Sequence, residues 1–324
     1  MEKVLVTGAN SLLAANVIRL LLERGYHVNG ILRSAGNFKL PPHENLDLTE
    51  ADIRDTGKIM TALEGCKYVI HCAATTRQDL PRYKYYREIN ADATEELVKL
   101  SIEKKVSRFI FISSSNAIGS GTREHPGNET MEPRKPVSDS FYAKSKAEAN
   151  KRLLKYCNKI DIVILCPCFM LGPWDSKPSS GRIILMGLRK IIFHPPGGKN
   201  FIDVRDAAQG TVNSLKLGRN GETYLLASEN LDYRSFFKKL VSVSGGKSVL
   251  ICLPPLLLYL AGMAGSLLRF FSVPTELTLT NMRIICRGEY YSGRKAVEEL
   301  GIELHPVEDS IKDAIEWFRE NKMI

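Results

Sequence analysis

The sequence offers no cysteine pattern from which a disulfide framework or a structural metal site could be built. Its seven cysteines are an odd number, are scattered along 324 residues and lie mostly in apolar runs such as Val163-Ile-Leu-Cys166. Cys166 and Cys168 flank a proline, but no second group of ligands accompanies them, so we expect no bound metal. We expect reduced, buried thiols in a cytoplasmic protein, and no signal-peptide pattern precedes the first apolar strand at Val4.

Basic runs interleaved with aromatic residues, internal repeats and low-complexity tracts are also missing. The formal net charge of +9 and the pI near 9.1 nevertheless permit an anionic partner: a phosphorylated cofactor, an acidic lipid surface or nucleic acid. Because no nucleic-acid motif accompanies the charge, we expect no nucleic-acid partner and take a phosphorylated cofactor as the simplest explanation. A generally basic surface without a specific partner is the alternative.

One stretch lacks charge for long enough to raise the question of a membrane. Val249–Leu268 holds 20 residues without a charged side chain, nominally enough to span a bilayer. Pro254-Pro255 interrupts it near the start and leaves about 13 residues, or roughly 20 Å of helix against a hydrocarbon core of ~30 Å. We therefore expect a buried or cleft-lining helix and do not expect peripheral membrane contact.

Short apolar strands alternate with amphipathic helices over the first two-thirds of the chain. This alternation predicts an α/β fold with a doubly wound parallel sheet and helices on both of its faces. The strands contain few polar residues, as expected of a sheet covered on both sides. The predicted strands are 4–6, 28–32, 68–71, 108–113 and 161–165, and the predicted helices are 15–24, 59–63, 90–104 and 142–156.

The first predicted strand runs directly through Thr7-Gly-Ala-Asn-Ser-Leu-Leu-Ala14 into a helix, the context in which a glycine-rich turn binds a dinucleotide. Gly8 holds the tight-turn position, and Ala14 is tolerated where the helix packs on the strand. Ser11 replaces the glycine that admits the pyrophosphate, although its hydroxyl could donate to a phosphate oxygen. An ordinary strand–helix turn is the alternative. The predicted cofactor-binding residues here are Gly8, Asn10, Ser11, Leu12 and Leu13, the last two through free amides at the helix start.

The second predicted strand ends at Leu32-Arg33. An acidic residue at this place would bind the ribose hydroxyls of NAD, whereas an arginine suits the 2′-phosphate of NADP. Arg33 therefore favours NADP(H) over NAD(H) as the cofactor. Ser34 could share either role, and a surface arginine at a strand end is the alternative.

The sequence pattern changes after Pro167, where proline- and glycine-rich stretches that predict loops begin. We predict that residues 1–166 form the dinucleotide-binding domain, of Rossmann type, and that residues 199–226, which include Phe201-Ile-Asp-Val-Arg-Asp206, return to it. Residues 167–198 and 227–324 are predicted to form a smaller, mostly helical substrate-binding domain. This second part should close over the carboxyl edge of the sheet.

Tyr142 and Lys146 lie four residues apart, so on a helix they share one face. A phenol with its usual pKa near 10 is a poor acid–base catalyst at neutral pH. Lowering that pKa to about 7 requires roughly 4 kcal/mol, which one ammonium about 4 Å away supplies at an effective dielectric near 20. The pair could make a general acid for carbonyl or alcohol chemistry, although the same spacing is common on solvated helices.

Several motifs, taken in order, resemble those of the extended short-chain dehydrogenase/reductase family, of the NAD-dependent epimerase/dehydratase type. The resemblance spans nearly the whole chain, and its C-terminal part is similar to the dihydroflavonol reductase and hopanoid-associated sugar epimerase branch. The motifs are Thr7-Gly8…Ser11…Ala14, Asp52-Ile53-Arg54-Asp55, His71-Cys-Ala73-Ala74, Ile89-Asn90-Ala-Asp-Ala-Thr94, Ser113-Ser-Ser-Asn-Ala-Ile-Gly119, Tyr142…Lys146, Pro167, Phe201-Ile-Asp-Val-Arg-Asp206, Lys295-Ala-Val-Glu-Glu-Leu-Gly301 and Trp317-Phe318.

The resemblance implies a catalytic set of three residues. Ser114 would bind the substrate oxygen, Tyr142 would transfer the proton, and Lys146 would hold the nicotinamide ribose and lower the pKa of the tyrosine. Ser113 and Ser115 are alternatives to Ser114, which is chosen on its distance from Gly119 in the sequence.

The resemblance also implies cofactor contacts outside the glycine-rich turn. Tyr142 and Lys146 belong to this set as well as to the catalytic one. The other implied residues are Asp52 and Ile53 beside the adenine, Ala73 and Ala74 along the middle of the cofactor, Asn90 supporting the helix behind the site and Pro167 beside the nicotinamide.

Candidate substrate contacts are harder to assign from sequence. Arg182 would discriminate between substrates, because an arginine aimed into the cleft favours an anionic compound such as a nucleotide diphosphate. An arginine paired with an acid at the surface removes that argument. The other candidates are Thr75, Phe169, Trp174 and Phe193, of which the aromatic residues are more commonly core residues.

Three functions are compatible with these motifs. The first is an NADP(H)-dependent oxidoreductase that reduces a ketone or aldehyde, resembling dihydroflavonol reductase. If the apolar segment Leu256–Leu268 lines the cleft, a hydrophobic carbonyl or sterol-like substrate is favoured. The second is a sugar-nucleotide epimerase, and the third is a non-catalytic dinucleotide-binding sensor. Dehydration is not expected, because Asn116-Ala117 stand where dehydratases of the family have an Asp-Glu pair. We expect a small-molecule substrate and a monomer or homodimer.

Overall fold

The computed structural model describes residues 1–324, except for the side chain of Asn37. In chain order the strands are β1 (Lys3–Thr7), β2 (His27–Leu32), β3 (Leu46–Glu50), β4 (Tyr68–His71), β5 (Arg108–Ile112), β6 (Asp161–Pro167), β7 (Phe169–Leu171), β8 (Ile191–His194), β9 (Gly198–Asp203), β10 (Thr223–Leu226), β11 (Glu229–Asp232), β12 (Val249–Cys252) and β13 (Gly288–Glu289).

Twelve α-helices are described between and after these strands. They are α1 (Leu12–Glu23), α2 (Thr56–Ala62), α3 (Tyr83–Arg87), α4 (Ala93–Glu103), α5 (Phe141–Leu153), α6 (Arg182–Gly187), α7 (Val204–Leu217), α8 (Tyr233–Ser244), α9 (Pro255–Phe270), α10 (Leu279–Ile285), α11 (Arg294–Leu300) and α12 (Val307–Glu320). A wider π-helical turn, Glu88–Asp92, joins α3 to α4 without a break.

The main sheet has seven parallel strands in the order β10-β6-β5-β4-β1-β2-β3. Helices cover both faces: α1, α7 and α11 pack together, as do α2, α4 and α5. The predicted doubly wound parallel sheet is therefore confirmed. The sequence pattern missed β3, because this edge strand exposes polar residues and shows no apolar run.

A second, smaller group of elements follows β6. Here β9 pairs in parallel with β7 and β13 and antiparallel with β11, and β8 pairs with β12. Within the segment 199–226, which was expected to return to the dinucleotide-binding domain, β9 lies in this second sheet, and the chain returns to the main sheet with α7 and β10. A separate apolar cluster holds the group together; its largest members include Phe201, Phe236, Phe237, Trp317 and Phe318.

Of the two expectations for the uncharged segment, a buried or a cleft-lining helix, helix α9 contradicts the first. It begins at the predicted proline pair, but only Leu258, Gly262 and Gly265 are buried. These two glycines allow close packing, since a Cβ on Gly265 would lie 1.5 Å from the carbonyl oxygen of Leu277 at the approach to α10. Across the described residues, no helix is both long and apolar enough to cross a membrane.

A buried histidine ties three elements of the main sheet together. His71 Nδ1 lies 2.7 Å from Thr7 Oγ1 on β1, and its Nε2 lies 2.9 Å from Thr94 Oγ1 on α4. The ring is fully buried and stacks on Phe111. Burial lowers the pKa of His71 to about 3, so the folded protein holds this imidazole neutral.

This arrangement predicts an acid-sensitive fold. In the unfolded chain His71 gains a proton near its ordinary pKa of about 6.5, whereas the folded chain does not, so stability falls as the pH drops below about 6.5. From about pH 7.5 to about pH 5, His71 alone should remove about 2 kcal/mol from the free energy of unfolding.

The measurement is urea unfolding of the wild type and of His71→Gln, which cannot titrate, at both pH values. Subtracting the stability loss of His71→Gln from that of the wild type cancels the contributions of other titrating groups. One of these is His305, whose pKa is raised by the hydrogen bond from its ring to Asp206. An equal loss in both proteins would show that His71 is not kept neutral.

Candidate active site

The turn after β1 is shaped by a glycine that no other residue could replace without a clash. Gly8 has a φ of +69°, and a Cβ there would lie 2.9 Å from both Cα and N of Ala73. Ala73 N in turn donates to Thr7 Oγ1 over 3.2 Å. The turn after β1 and the loop after β4 therefore lie in direct backbone contact at the carboxyl edge of the sheet.

Ser11 fits the position where a glycine is common. Its φ of −85° is accessible to any residue, and its Oγ accepts a hydrogen bond from Ala14 N over 3.4 Å as the N-cap of α1. The hydroxyl proton stays free to donate. The first-turn amides of Leu12 and Leu13 have no carbonyl partner inside the helix, so the turn presents donors to an anion. These residues fit a dinucleotide phosphate.

Arg33 lies at the end of the neighbouring strand β2. It is exposed and, within the part of the chain that the structure describes, makes no ion pair. Asn10 is close by, since its Nδ2 donates to the carbonyl of Ser34 over 3.4 Å. An arginine left without a carboxylate partner beside the dinucleotide turn fits a further phosphate.

Asp52 follows β3 and lies near Arg33. The Arg54 side chain donates to both of its carboxylate oxygens, over 2.8 and 3.0 Å, and this lowers the pKa of Asp52 to about 2. Asp52 is therefore charged at neutral pH. Ile53 beside it is partly buried against the core.

Asn90 is buried, and its side-chain amide hydrogen-bonds both the loop after β4 and α5. Its Oδ1 accepts from Thr75 N over 2.7 Å, and its Nδ2 donates to Thr75 O and to Ser145 Oγ over 3.0 and 2.9 Å. All of its amide groups are thus used by the protein. This geometry favours support of the loop after β4 and of α5 over direct contact with a cofactor. It also fixes the backbone of Thr75 at the edge of the site.

The structure brings Ser114 and Tyr142 together. Ser114 stands two residues after β5 in an extended conformation, and its Oγ accepts from Asn116 N over 3.3 Å. A hydrogen bond from the Ser114 hydroxyl lowers the pKa of Tyr142, but burial has the larger effect and raises it overall. Two hydroxyl groups that converge in this way can both hydrogen-bond one substrate oxygen.

Lys146 makes its hydrogen bond to the end of β5 and not to Tyr142. It is buried, its Nζ donates to Ile112 O over 2.7 Å and lies 4.6 Å from the centre of the Phe111 ring. Burial lowers the pKa of Lys146 to about 8. The pKa of Tyr142 is raised by burial, and Lys146 Nζ is held by a carbonyl at the end of β5, so the lowering of the phenol pKa by this ammonium stays a prediction.

The candidate substrate residues divide into two groups. Phe169 lies on β7, packs edge-on against Phe201 and has the Lys199 Nζ 5.6 Å from its ring centre. Pro167 ends β6 beside it. Thr75 is held by Asn90, as described above. These positions remain candidates for contact with a substrate.

The other candidates are packed in the protein, paired at the surface or exposed. Trp174 has a φ of +75° and packs between Arg19 and Trp317, so it joins the two apolar clusters. Arg182 pairs with Glu276 over 3.1 Å at the surface, which removes the argument for an anionic substrate based on it. Phe193 is 54% exposed on β8.

Sequence patterns missed a polar group next to Ser114. Lys199 on β9 faces Cys168 and Glu289, and burial lowers the pKa of this lysine. Tyr291 is 3% exposed, and its hydroxyl has no hydrogen-bond partner among the described residues. Ser115 lies beside both Cys168 and Tyr291. No periodicity marks these residues, since they lie on separate segments; Lys199 meets Glu289 through the pairing of β9 with β13.

Comparison with known proteins agrees with the geometry. The model of the NAD dependent epimerase/dehydratase family matches residues 4–227. A Synechocystis protein whose name likens it to dihydroflavonol 4-reductase is 28% identical over 328 residues, which cover 98% of this chain and 94% of that protein. Sterol demethylase protein B of Methylococcus capsulatus is 29% identical over 328 residues, 99% of each chain.

A solved structure resembles the whole fold. The crystal structure of gox2253 superposes with a TM-score of 0.84 at 28% identity and covers 99% of both chains. The similarity therefore extends beyond the main sheet to the smaller group of elements after β6.

The turn after β1 generates a prediction with a matched control. Gly8→Ala should weaken NADPH binding at least about tenfold, because the added Cβ has to displace the loop that carries Ala73; a tenfold loss is about 1.4 kcal/mol. Gly25→Ala is the control: its φ is +75°, yet nothing lies within 4 Å of its added Cβ. Both variants share the strain of a positive φ, roughly 1–2 kcal/mol.

The measurement is NADPH fluorescence titration together with thermal unfolding of each variant. Gly25→Ala should lose stability but keep the wild-type dissociation constant. Equal binding by Gly8→Ala and the wild type would show that the nucleotide lies elsewhere.

Proposed function

This chain belongs to the NAD dependent epimerase/dehydratase family, and on that premise we propose that it reduces a ketone or aldehyde with NADPH. It is an NAD(P)-dependent enzyme of the extended short-chain dehydrogenase/reductase type. The proposal adds the direction of the reaction, the proton donor and the preferred cofactor.

The observation that carries the proposal is the meeting of Ser114 with a protonated Tyr142. Since burial raises the pKa of the phenol, Tyr142 keeps its proton at neutral pH. A phenol in this state is a donor, the role that reduction of a carbonyl requires. The Ser114 hydroxyl would hold the same oxygen and orient it. A bound nicotinamide would supply the hydride.

Lys146 would act as an anchor for the cofactor. An ammonium has three N–H donors, and the carbonyl of Ile112 accepts one of them. The remaining donors are suited to ribose hydroxyls. With a pKa lowered to about 8, Lys146 is still mostly charged at neutral pH.

Arg33 and the dinucleotide turn support the choice of cofactor. Gly8, Ser11 and the amides of Leu12 and Leu13 would hold the pyrophosphate, and Ala73 and Ala74 would pass along the middle of the dinucleotide. Ionised Asp52 would accept from the adenine with Ile53 beside it. Arg33, which has no carboxylate partner among the described residues, would bind the 2′-phosphate of NADP.

Phe169 favours an apolar carbonyl compound as the substrate. Phe169 contributes an aromatic face, and Arg182 is occupied by Glu276 at the surface. One relative is named as a sterol demethylase protein, which is compatible with a substrate of this class.

A sugar-nucleotide epimerase is the second candidate, and one observation favours it. Burial lowers the pKa of Lys199, and although this lysine faces Glu289 it forms no ion pair within 4.0 Å among the described residues, so an anionic substrate group could pair with it. The same Ser114–Tyr142 pair serves epimerisation. The two functions differ in whether NADPH is consumed.

The first test is NADPH oxidation by a panel of aldehydes, ketones and sterols, with UDP-sugar epimerisation measured in parallel. Tyr142→Phe should lower kcat by about 10²–10⁴-fold, the usual contribution of a positioned acid, while the dissociation constant of NADPH changes little. Tyr83→Phe is the control, because the Tyr83 hydroxyl bonds Glu148.

Full turnover by Tyr142→Phe would contradict the proposed mechanism. Epimerisation of a UDP-sugar without net oxidation of NADPH would replace reduction with the second candidate.

The second test concerns the choice of cofactor. Arg33→Gln should weaken NADPH binding about tenfold, or about 1.4 kcal/mol, and leave NADH binding unchanged. Arg294→Gln is the control, since Arg294 lies on α11 and is paired with Glu298. Isothermal titration of both cofactors gives the ratio of dissociation constants. A wild type that binds NADH more tightly than NADPH would refute the assignment of Arg33.

A further inference from the structure

Helix α9 is apolar on both of its sides. One side packs on α10 through the stripe Leu258, Gly262 and Gly265. The opposite side has no protein partner in the part of the chain that the structure describes, and its apolar residues are exposed: Leu256, Leu257, Leu260, Met263, Leu267, Leu268 and Phe270. A helix that is apolar all round is normally buried in a protein core or in a membrane.

The pair β8–β12 continues this surface. Ile191 and Phe193 alternate outward on β8, and Val249 and Ile251 do so on β12, each 40–60% exposed. Strand β12 leads into α9 through Pro254, and Phe271, Val273 and Leu277 extend the exposed apolar side chains beyond the helix. We call the exposed apolar residues of β8, β12, α9 and the following turn the apolar platform. It is larger than the scattered apolar residues that monomers normally expose.

The charge around the apolar platform is strongly positive. Residues 182–198 and 245–287 contain seven lysines or arginines and one acidic residue, Glu276. Glu276 is already paired with Arg182. These two segments meet at one end of the β8–β12 pair, where Ser248 Oγ donates to Arg189 O and Val249 N donates to Lys190 O. Arg182 is taken up by its pair with Glu276 and Arg269 donates to the carbonyl of Gln78, which leaves five exposed basic residues: Arg189, Lys190, Lys247, Arg283 and Arg287.

From these observations we propose that the apolar platform docks the protein on an anionic lipid bilayer. This conclusion reverses the expectation from sequence that membrane contact is absent. An apolar helix face flanked by lysines and arginines is the combination that binds in the interface of anionic membranes. A second copy of the chain is a poorer occupant, because a twofold contact would bring the same cluster of positive charges against itself.

Helix α9 would lie in the plane of the membrane surface. Its 16 residues make a helix of about 24 Å, and the stripe that faces α10 keeps it flat against the protein. The exposed side chains therefore enter the headgroup region, while the helix keeps its packing on α10.

The docked helix is also joined to the neighbourhood of the proposed active site. Arg269, near its end, donates to the carbonyl of Gln78 in the loop after β4, and its guanidinium carbon lies 5.9 Å from the centre of the Phe141 ring. Phe141 directly precedes Tyr142. Membrane docking would hold this side of the molecule at the lipid surface, whichever carbonyl compound the enzyme takes.

The test is flotation of the full chain with vesicles of phosphatidylcholine, with and without phosphatidylglycerol. We expect binding to the anionic vesicles that weakens when salt rises from about 0.1 to about 0.5 M, since the charges become screened. The double substitution Leu260→Asp with Leu267→Asp should lower the bound fraction at least about tenfold. Leu217→Asp with Leu304→Asp is the matched control, because these leucines are 53% and 43% exposed outside the apolar platform.

A second measurement does not depend on these charged variants. Phe270, 80% exposed, is replaced by Trp, and its emission should shift to shorter wavelength when anionic vesicles are added. Leu304→Trp should show no shift.

Absence of flotation with anionic vesicles would overturn the proposal, as would unchanged flotation of the Leu260→Asp, Leu267→Asp variant. Light scattering that shows a dimer broken by that variant, with no vesicle binding, would assign the apolar platform to a second copy. Vesicle binding is measured without substrate or cofactor, so its failure leaves the proposed reduction untouched.

Discussion

A hydrogen bond of 2.7 Å from Lys146 Nζ to the carbonyl of Ile112 joins α5 to the end of β5. Ser114 follows that strand end by two residues, and Tyr142 lies one turn before Lys146 on α5. The bond therefore helps to hold the helix that carries the phenol against the strand end that carries the serine hydroxyl. Because an unpartnered buried carbonyl costs about 1–3 kcal/mol, the same contact contributes to the stability of the fold.

The main sheet and the composition of the proposed site could be predicted from the sequence. Apolar strands that alternate with helical patterns have one common solution, a parallel sheet with its carboxyl edge free for a ligand. Sequence spacing determines proximity within one element or one turn. It therefore correctly placed Gly8 in the turn before α1, and Tyr142 and Lys146 one turn apart on α5. The sequence also placed Arg33 at the end of β2.

Contacts between distant elements could not be predicted. Spacing places Tyr142 and Lys146 on one helix face, but whether the ammonium meets the phenol depends on Ile112, which lies in another element. The pairing of Arg182 with Glu276 joins residues 94 positions apart. The exposure of α9 was missed for a related reason. The hydrophobicity of a segment indicates that burial would be favourable, but it does not show whether another element packs on it, and in this protein only one side of α9 is covered.

The proposed reduction requires that the buried Tyr142 phenol keep its proton at neutral pH, ready to donate. Ultraviolet difference titration of the wild type against Tyr142→Phe isolates this side chain among the 12 tyrosines. We predict no tyrosinate from Tyr142 up to about pH 10, the ordinary pKa of the phenol. A tyrosinate signal with a midpoint at about pH 7–8, at least two units below that ordinary pKa, would contradict it.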